Sequence, residues 1–213
     1  MKRIFIVGGD GFARECYSYI QNNIHNGDDI CFGGFVGHNG YHVNFGPLEP
    51  FFVGDLSNIT FEKDDYCIIG AGFPGLRRKI YADLKKKGAS FYNLIFGNGK
   101  VNDLVEMGEG NILIDSFPSP FVKIGNGNVF NYQVIIAHDV VIGDFNFFGP
   151  RCQLLGTISI GNFNTIGANA IMLPHSKVGN NNKIAPLSVI YKGCRSNCYM
   201  QGNPALKSGV VEE

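Results

Sequence analysis

A run of large apolar residues at every sixth position dominates the second half of the chain. The run begins at Ile124, ends at Ile190 and contains only Ile, Leu, Val, Phe and Met. Its members are Ile124, Phe130, Ile136, Ile142, Phe148, Leu154, Ile160, Ile166, Met172, Val178, Ile184 and Ile190. This spacing fits neither the period of a helix, about 3.6 residues, nor that of a flat strand, about 2 residues. It is typical of a parallel β-helix with three short sides per coil, in which one side chain of each repeat fills the interior.

The residue after each large apolar one is usually small. We expect this small residue to let the chain turn each corner, because glycine also tolerates positive φ. The small residues are Gly125, Ala137, Gly143, Gly149, Gly161, Gly167, Gly179 and Ala185. Coils are predicted over residues 124–141, 142–159, 160–177 and 178–195.

The repeat weakens on both sides of this region. Between residues 101 and 123, Ile112 keeps the spacing while Glu106 and Pro118 break it, and this pattern predicts a distorted first coil. From residue 184 to 207 the period is lost among turn-forming residues. Because a solenoid needs covered ends, we expect this last segment to cap the final coil.

Charge and cysteine usage exclude several classes of protein. The 18 basic and 18 acidic residues cancel, so no overall field attracts nucleic acid or an anionic membrane. The apolar runs are too short to span a bilayer. The six cysteines form no Cys-x-x-Cys pair, and the Met-Lys-Arg start has no signal-peptide pattern. These features predict reduced thiols in a cytoplasmic protein without membrane insertion, and a bond between Cys194 and Cys198 is the less favoured alternative.

Strands and helices alternate in the first hundred residues, which predicts a small parallel α/β sheet. Strands are predicted at residues 3–7, 30–36, 66–69 and 91–95, and helices at 13–23 and 76–87. In the first helix Ala13, Cys16, Tyr17 and Ile20 share one face. Residues 38–60 have no regular pattern, and the boundary with the β-helix is expected near residues 96–100.

The second predicted helix is amphipathic. Its inward residues are Ile80, Tyr81 and Leu84, and its outward residues are Arg77, Arg78, Lys79, Lys85, Lys86 and Lys87. We interpret the charged residues as a solvated face. Gly88 follows the last turn, where a helix commonly ends in glycine.

The first strand runs into a glycine-rich turn and a helix, an arrangement that aims backbone N–H groups at a phosphate. Gly9 and Gly11 supply two glycines of the dinucleotide fingerprint, but Arg14 occupies the third position. The second strand ends in Gly37-His38, where an acid would bind the ribose of NAD. NAD binding is therefore disfavoured, whereas the diphosphate of a sugar nucleotide fits the turn. The alternative is that these glycines only shape the turn.

His138 is the polar residue with the most informative position in the repeat. It lies two places after the inward Ile136, and the equivalent positions one coil away are Pro120 and Gly156. The position beside His138 thus has no side chain, which leaves room for a ligand. Histidine is the natural general base near neutral pH, and Asp139 is the carboxylate that could support it. Since neighbours on a strand point to opposite faces, this pair requires His138 to lie at a corner, or the acid to come from another subunit; an inert surface histidine is the alternative.

Metal chemistry on histidines is a further alternative that the spacing argues against. His175 is the other histidine of the repeat region, and its distance in sequence from His138 corresponds to about two coils, roughly 10 Å along the axis. Zinc ligands each lie about 2.1 Å from the ion, so these two residues of one subunit cannot share it. We therefore predict no metal.

Motifs in a fixed order along the chain resemble a known family. Residues 4–12 read Ile-Phe-Ile-Val-Gly-Gly-Asp-Gly-Phe, residues 137–144 have the pattern Ala-His-Asp-x-x-Ile-Gly-Asp, and residues 202–205 read Gly-Asn-Pro-Ala. Together they resemble the bacterial sugar acetyltransferases of the sialic acid O-acetyltransferase and bacillosamine N-acetyltransferase type. The resemblance implies a homotrimer of left-handed β-helices with acetyl-CoA and sugar bound at subunit interfaces. It implies a nucleotide-sugar-binding, Rossmann-like α/β domain over residues 1–97 and a left-handed β-helix acyltransferase domain with a C-terminal cap over residues 98–213.

The resemblance also assigns roles to individual residues. It implies that His138 is the general base, Asp139 the acid that enhances it, and Asn131 a polar residue near the acceptor. The positions that line the nucleotide are Asp10, Gly11, Phe12, Gly37, His38 and Gly72. Ala168 and Pro186 match positions along the pantetheine of CoA, and a backbone N–H of the Gly156 coil is the expected oxyanion donor. One residue departs from the family: many relatives have a second histidine, near the thioester, where this chain has Phe147, so a different acetyl position or another acyl group is an alternative.

The function implied is direct transfer of an acetyl group from acetyl-CoA, without a covalent enzyme intermediate. We favour N-acetylation of a nucleotide-linked amino sugar, of the UDP- or dTDP-4-amino-4,6-dideoxy type, in bacterial surface glycan biosynthesis, because the first turn suits a diphosphate. O-acetylation of sialic acid or a related sugar is one alternative. A non-catalytic solenoid that serves assembly or ligand sensing is an alternative of another class, which the change at Phe147 would permit.

Overall fold

In a computed structural model, residues 1–9, 11–39, 46–97 and 101–211 of the chain are described. They form two compact units, Met1–Leu94 and Ile95–Glu213. The division lies three residues before the boundary drawn from the sequence. Each unit has its own architecture.

The first unit is a five-stranded parallel sheet with two helices. Its elements are β1 (Lys2–Val7), α1 (Gly11–His25), β2 (Ile30–Gly37), β3 (Phe52–Asp55), β4 (Asp65–Ile69), α2 (Pro74–Lys86) and β5 (Ser90–Phe91), with short 3-10 helices at Gly46–Phe51 and Leu56–Asn58. The strand order is β3-β2-β1-β4-β5. The parallel α/β architecture predicted from the alternating pattern is confirmed. The central strand β1 ends in buried Ile6 and Val7, so its carboxyl end opens between the ends of β2 and β4.

Arg77 is the clearest error of the sequence analysis in this unit. Predicted to face solvent, it is fully buried, and its Nη1 donates to the carbonyl oxygens of Ile69 at 2.6 Å and Ala71 at 2.8 Å. These carbonyls lie at and just beyond the end of β4, where a parallel sheet leaves backbone acceptors without a strand partner. Burial lowers the pKa of Arg77 to about 10. The guanidinium therefore joins α2 to the turn that follows β4.

Three smaller differences concern element limits and faces. On α1 the buried aromatic residue is Tyr19, while Tyr17 is half-buried and packs edge-on against Phe32. The single strand predicted at residues 91–95 is two strands, β5 and β6 (Leu94–Phe96). The segment without a regular pattern contains β3, which pairs with β2 at the edge of the sheet. Gly88 has a φ of +71° directly after the C-cap of α2, as expected.

The second unit is a parallel β-helix with three faces. Its strands are β7 (Glu106–Met107), β8 (Ile112–Ile114), β9 (Lys123–Ile124), β10 (Val129–Phe130), β11 (Ile135–Ile136), β12 (Val141–Ile142), β13 (Phe147–Phe148), β14 (Gln153–Leu154), β15 (Ser159–Ile160), β16 (Thr165–Ile166), β17 (Ile171–Met172), β18 (Lys177–Val178), β19 (Lys183–Ile184), β20 (Val189–Ile190), β21 (Gly193–Cys194), β22 (Cys198–Gly202) and β23 (Ala205–Val210). An eight-stranded face has the order β23-β22-β19-β16-β13-β10-β8-β6, a four-stranded face β11-β14-β17-β20, and a six-stranded face β21-β18-β15-β12-β9-β7.

The twelve large apolar residues of the repeat fill the interior, which confirms the predicted winding. All of them are at most 5% exposed. Ile124 pairs with Ile142 and Ile142 with Ile160, a constant offset of 18 residues. The offset changes at both ends: Phe130 pairs with Leu113, 17 residues away, and Val178 pairs with Cys194, 16 residues away. The expectation that Ile112 keeps the spacing was therefore wrong by one residue.

The reason given for the small residue after each inward one was also wrong. Left-handed backbone occurs every six residues from Asp115 to Leu187, but it falls three places after the inward residue, as at Asp139, where φ is +56°. The small residue is needed for a different reason. A Cβ at Gly125 would lie 2.7 Å from the carbonyl oxygen of Gly143, because the next coil passes directly against it. Stacking of coils therefore selects the small residue, and the turn itself is made two residues later.

Buried asparagines connect successive coils along one edge. The side-chain oxygen of Asn146 accepts from the backbone N–H and side-chain N–H of Asn164, both at 2.9 Å. The same contacts recur from Asn164 to Asn182, and Asn182 finally accepts from the backbone N–H of Cys198 at 2.8 Å. Cys198 begins β22, which pairs in antiparallel fashion with β23. The eight-stranded face thus ends in a hairpin.

Candidate functional site

His138 lies in a turn at one edge of the β-helix. We call this the His138 edge; it consists of the turns 137–140, 155–158 and 173–176, between the four-stranded and six-stranded faces. His138 is 64% exposed, and its Nδ1 lies 2.8 Å from Oδ2 of Asp139. The left-handed φ of Asp139 brings the two adjacent side chains together. Of the two geometries that the sequence left open, the structure has the corner, and the pair forms within one chain.

The contact with Asp139 determines which ring nitrogen of His138 is available. A carboxylate at Nδ1 favours the tautomer with the proton on Nδ1, because the carboxylate only accepts hydrogen bonds. Nε2 is then an unprotonated acceptor on an exposed ring. A carboxylate in this position orients the imidazole. The pair therefore has the arrangement that a general base requires.

Gly156 faces this imidazole from the next coil. A Cβ at residue 156 would lie 3.2 Å from both Cε1 and Nε2 of His138. Gly156 also has a φ of +64°, and Thr157 after it has a φ of +52°, so this turn contains two consecutive left-handed residues. The backbone conformation thus favours glycine here, and a larger residue would crowd the imidazole. As the sequence predicted, the residue beside Nε2 carries no side chain.

The backbone amides of this turn all donate hydrogen bonds, but these bonds differ in length and geometry. The amide of Leu155 donates to the backbone carbonyl of Met172 in the next coil at 3.1 Å, and the amide of Thr157 donates to the backbone carbonyl of His138 at 3.0 Å. The amide of Gly156 donates at 3.2 Å to Leu154, only two residues earlier. A bond within such a three-residue turn is the most easily replaced of the three. Gly156 is therefore the amide in this turn best placed to bind another acceptor.

The remaining candidates from the repeat lie away from His138 in the same chain. Asn131, Ala168 and Pro186 belong to the turns between the eight-stranded and four-stranded faces, which we call the Asn131 edge (residues 131–134, 149–152, 167–170 and 185–188). Phe147 is half-buried on the eight-stranded face, next to that edge. One whole side of the prism separates these residues from His138. A single chain brings together His138, Asp139 and Gly156 but not the others.

A cavity in the first unit lies close in sequence to the other group of candidates and is lined by one of them, His38. It has a volume of about 400 Å³ and lies where β1, β2 and β4 end. Its described lining residues are Gly8, Gly9, His38, Asn39, Ala71, Phe73, Leu76 and Ile80. Among the residues predicted to contact a nucleotide, His38 lines this cavity, Gly37 and Gly72 are adjacent in sequence to lining residues, and Gly11 and Phe12 begin α1. Asp10 lies outside the described residues.

His38 has a partner that the sequence did not indicate. The ring is only 7% exposed, and its Nε2 lies 3.0 Å from Oδ2 of Asp83 on α2. Lys86 donates to the other oxygen of Asp83 at 3.1 Å. The hydrogen bond from His38, followed by that from Lys86, holds the pKa of the Asp83 carboxyl below its ordinary value of 3.8. Asp83 lies 45 residues from His38 in sequence, and no local pattern links them.

Two further observations concern the described part of the chain as a whole. No group of three or more His, Cys, Asp or Glu side chains there is arranged to hold a metal ion. Neither α1 nor α2 has the length and apolar character that a membrane-crossing helix needs.

The three-sided parallel coils place the second unit in the left-handed β-helix class of fold. The family described as "Bacterial transferase hexapeptide (six repeats)" matches residues 157–192. These residues lie within the region of the six-residue repeat. No curated protein matches the chain by sequence.

Solved structures with both units are similar to this chain. The acetyltransferase domain of PglB from Neisseria gonorrhoeae FA1090, in complex with acetyl coenzyme A, has a TM-score of 0.80 and 20% identity, covering 97% of this chain and 98% of that one. PerB from Caulobacter crescentus, in complex with CoA and GDP-perosamine, has a TM-score of 0.81 and 22% identity, covering 98% of both chains. WeeI from Acinetobacter baumannii AYE has a TM-score of 0.79 and 24% identity, covering 97% of this chain and 100% of that one. The similarity extends over nearly the whole chain and confirms the predicted fold class.

Proposed function

We propose that this protein is an acyltransferase that moves the acetyl group of acetyl-CoA to the amine of a nucleotide-linked amino sugar, in bacterial surface glycan biosynthesis. The observation that carries the proposal is the His138–Asp139 pair, exposed on an edge of the β-helix with Gly156 leaving space beside Nε2. The structures of PglB with acetyl coenzyme A and of PerB with CoA and GDP-perosamine support the choice of substrates. A cytoplasmic location remains part of the proposal.

The proposed chemistry uses the tautomer of His138 that carries its proton on Nδ1 and leaves Nε2 as an acceptor. The sugar amine attacks the thioester carbonyl, a C–N bond forms, and Nε2 of His138 takes a proton from the nitrogen. The C–S bond then breaks, and the thiolate of CoA receives that proton, so that the products are an amide and a thiol. Asp139 orients the ring and stabilises the imidazolium. The amide of Gly156 is the proposed donor to the oxyanion.

The complete site would need a second copy of the chain. His138 lies on one edge, whereas Asn131, Ala168 and Pro186 lie on another. A cyclic assembly in which the His138 edge of one subunit meets the Asn131 edge of the next would bring both sets to each active site. The resemblance to the bacterial sugar acetyltransferases suggests that this ring is a homotrimer. Phe147, beside the Asn131 edge, would then face the acyl donor.

The test is steady-state acetyl transfer to UDP-, dTDP- and GDP-linked amino sugars by the variant His138→Ala. Loss of the general base should lower kcat at least ~100-fold with an unchanged melting temperature. Asp139→Asn should lower kcat about 10- to 100-fold, because the ring keeps its place but loses its orienting carboxylate. His25→Ala, at the exposed end of α1, is the control and should have the activity of the wild-type protein.

Near-normal turnover of the His138→Ala variant would remove this residue from the mechanism. Binding of acetyl-CoA is measured separately by thermal shift, since a specific ligand at a hundred times its Kd stabilises a protein by about 2.7 kcal/mol. No shift with any acyl-CoA would instead favour a non-catalytic solenoid.

A further inference from the structure

The turn that faces His138 from the next coil departs from the other corners of the β-helix. Elsewhere between residues 115 and 187 each corner has one left-handed residue, but this turn has two in succession, Gly156 with a φ of +64° and Thr157 with a φ of +52°. Two consecutive left-handed residues are the pattern of a type I′ turn, which favours Asn, Asp and Gly at both central positions. Thr157 is therefore the unexpected residue of this turn.

Threonine is an unfavourable residue for such a position. Among the described non-glycine residues with left-handed backbone, Thr157 is the sole β-branched one. A branch at Cβ crowds the backbone in this conformation, so a β-branched residue there is a true outlier. Strain of this kind persists only where the surrounding structure holds it, and it is concentrated at functional sites. The outlier therefore points to a function of the Thr157 side chain.

Thr157 lies where a substrate beside Nε2 of His138 would meet it. Strands β12 and β15 pair, so Thr157 lies one coil beyond Asp139 in the same position of the repeat, a separation of about 4.8 Å. Its amide donates to the carbonyl oxygen of His138 at 3.0 Å, and it directly follows Gly156, which leaves space beside Nε2. The side chain of Thr157 is exposed. It therefore borders the space through which an acceptor amine has to approach the imidazole.

The hydroxyl is the part of Thr157 that can bind a polar ligand. Within the described chain this hydroxyl has no hydrogen-bond partner. A hydroxyl both donates and accepts, so it matches another hydroxyl such as that of a sugar. The thioester offers only an acceptor oxygen, for which the amide of Gly156 is the proposed donor. The acceptor sugar is therefore a better match for Thr157 than the acyl donor.

We infer that Thr157 is an acceptor-binding residue: its hydroxyl hydrogen-bonds the sugar hydroxyl next to the reacting amine and thereby holds the amine at Nε2 of His138. This inference rests on the proposed function, since it names the group of the sugar that the same site recognises. A β-branched side chain has few χ1 rotamers, so threonine fixes the hydroxyl in one direction. Glycine, which would relieve the backbone strain, has no hydroxyl to offer.

The test is steady-state kinetics with acetyl-CoA and the UDP-, dTDP- or GDP-linked 4-amino-4,6-dideoxy sugar that the wild-type protein turns over fastest. Thr157→Val keeps the branched shape and removes the hydroxyl, so the KM for the sugar should rise about 10-fold while the KM for acetyl-CoA stays unchanged. Thr157→Ser keeps the hydroxyl and should stay within about 3-fold of the wild-type KM. Thr60→Val removes an exposed threonine hydroxyl from the first unit and is the matched control, with wild-type kinetics expected.

Thermal unfolding distinguishes this role from a structural one. Thr157→Gly removes the strain together with the hydroxyl, so its melting temperature should rise by roughly 2–4 °C while the KM for the sugar rises as in Thr157→Val. A residue retained for the fold alone would lose stability on replacement and leave the KM unchanged.

A modified acceptor identifies the group that Thr157 contacts. A sugar without the hydroxyl next to the amine should have an about 10-fold higher KM with the wild-type protein, and Thr157→Val should raise that KM no further, because both changes remove the same hydrogen bond. Effects that simply multiply would show that Thr157 contacts another group, which would overturn the inference.

Two further results would overturn it: a sugar KM within about 2-fold of the wild-type value in both Thr157→Val and Thr157→Gly, or a rise in the KM for acetyl-CoA with an unchanged KM for the sugar. In either case an inactive His138→Ala variant would leave the proposed function standing. If the wild-type protein acetylates none of the three sugars, the proposed function fails and this inference fails with it.

Discussion

Two left-handed residues on neighbouring coils shape the His138 edge. The φ of +56° at Asp139 brings its carboxylate to Nδ1 of His138, and Gly156, with a φ of +64°, faces Nε2 from the next coil without a side chain. A non-glycine residue in this conformation costs roughly 1 kcal/mol, which the stacked coils on both sides offset at Asp139. At Gly156 the same conformation combines with close approach to the ring. We therefore expect a methyl group at residue 156 to affect activity more than the backbone strain alone would.

Gly156→Ala should lower kcat by about 10- to 100-fold, because its methyl group would lie 3.2 Å from Nε2, where the acceptor must approach. The melting temperature should fall by only a few degrees, since the strain is about 1 kcal/mol. The measurement is initial rate together with thermal unfolding. Gly75→Ala, at an exposed position of α2 where a Cβ would meet no atom within 4 Å, is the control and should retain full activity. Unchanged kcat in Gly156→Ala would mean that the acceptor does not approach through this slot.

Sequence reasoning found His138 and Gly156 because both obey the coil spacing, so that position in the repeat determines their neighbours. It did not find Asp83 or the burial of Arg77. Both lie on α2, whose charged residues all resemble a solvated face in a linear pattern. Which of them meets β4 or His38 depends on how the helix packs on the sheet, and that packing joins residues far apart in sequence. Long-range polar contacts of this kind are not encoded in local periodicity.

At the scale of the element, each coil position forms a column whose members experience nearly the same surroundings. One inward column on the His138 edge contains Val122, Val140, Ile158 and Ser176, all at most 1% exposed. The hydroxyl of Ser176 is the one buried side-chain polar atom in the described chain without a hydrogen-bond partner. A buried group in this state costs about 1–3 kcal/mol. Replacing this hydroxyl by an apolar group should therefore stabilise the protein.

Ser176→Val should raise the melting temperature by several degrees, because it removes an unsatisfied hydroxyl and restores the apolar residue of its column. Ser188→Val is the matched control on the Asn131 edge. The hydroxyl of Ser188, equally buried, accepts from the amide of Gly202 at 3.2 Å, so this change should lower the melting temperature. Thermal unfolding of both variants checks the prediction. A decrease for Ser176→Val would show that the coil there has no room for the extra methyl groups.

The regular coils could be predicted almost completely from sequence, and the irregular ones could not. In the middle of the β-helix each residue pairs with the one 18 places away in the next coil. The six-residue period therefore predicts both the core residues and the strand pairing. At the ends, one or two residues are missing from a coil, and the chain pairs Leu113 and Cys194 where simple counting would select other residues. These two pairings reflect the lengths of the individual coils. A repeat count contains no information about them.

At the scale of the whole molecule, the candidates for catalysis are divided between two edges that a single chain keeps apart. The proposed ring makes each active site from two subunits, one contributing His138 and the other contributing the Asn131 edge. This division predicts that two inactive variants, each altered on a different edge, recover activity when they are mixed. No recovery is expected if the whole active site lies within one chain.

Mixing and reassembly of His138→Ala with Ala168→Trp, a bulky change on the Asn131 edge, should recover about a quarter of wild-type activity, because one interface in four then has both edges intact. Each variant alone should be inactive. Acetyl transfer after joint denaturation and refolding is the measurement, and sedimentation checks the assembly. A mixture with no more activity than its components would place the whole site within one subunit.

The hairpin at the end of the eight-stranded face has a consequence for solubility. Each parallel coil offers its upper rim as a template, and the buried asparagine column would accept another coil as readily as it accepts Cys198. The antiparallel turn from β22 to β23 is incompatible with that continuation, so a coil of another molecule cannot extend the eight-stranded face in register.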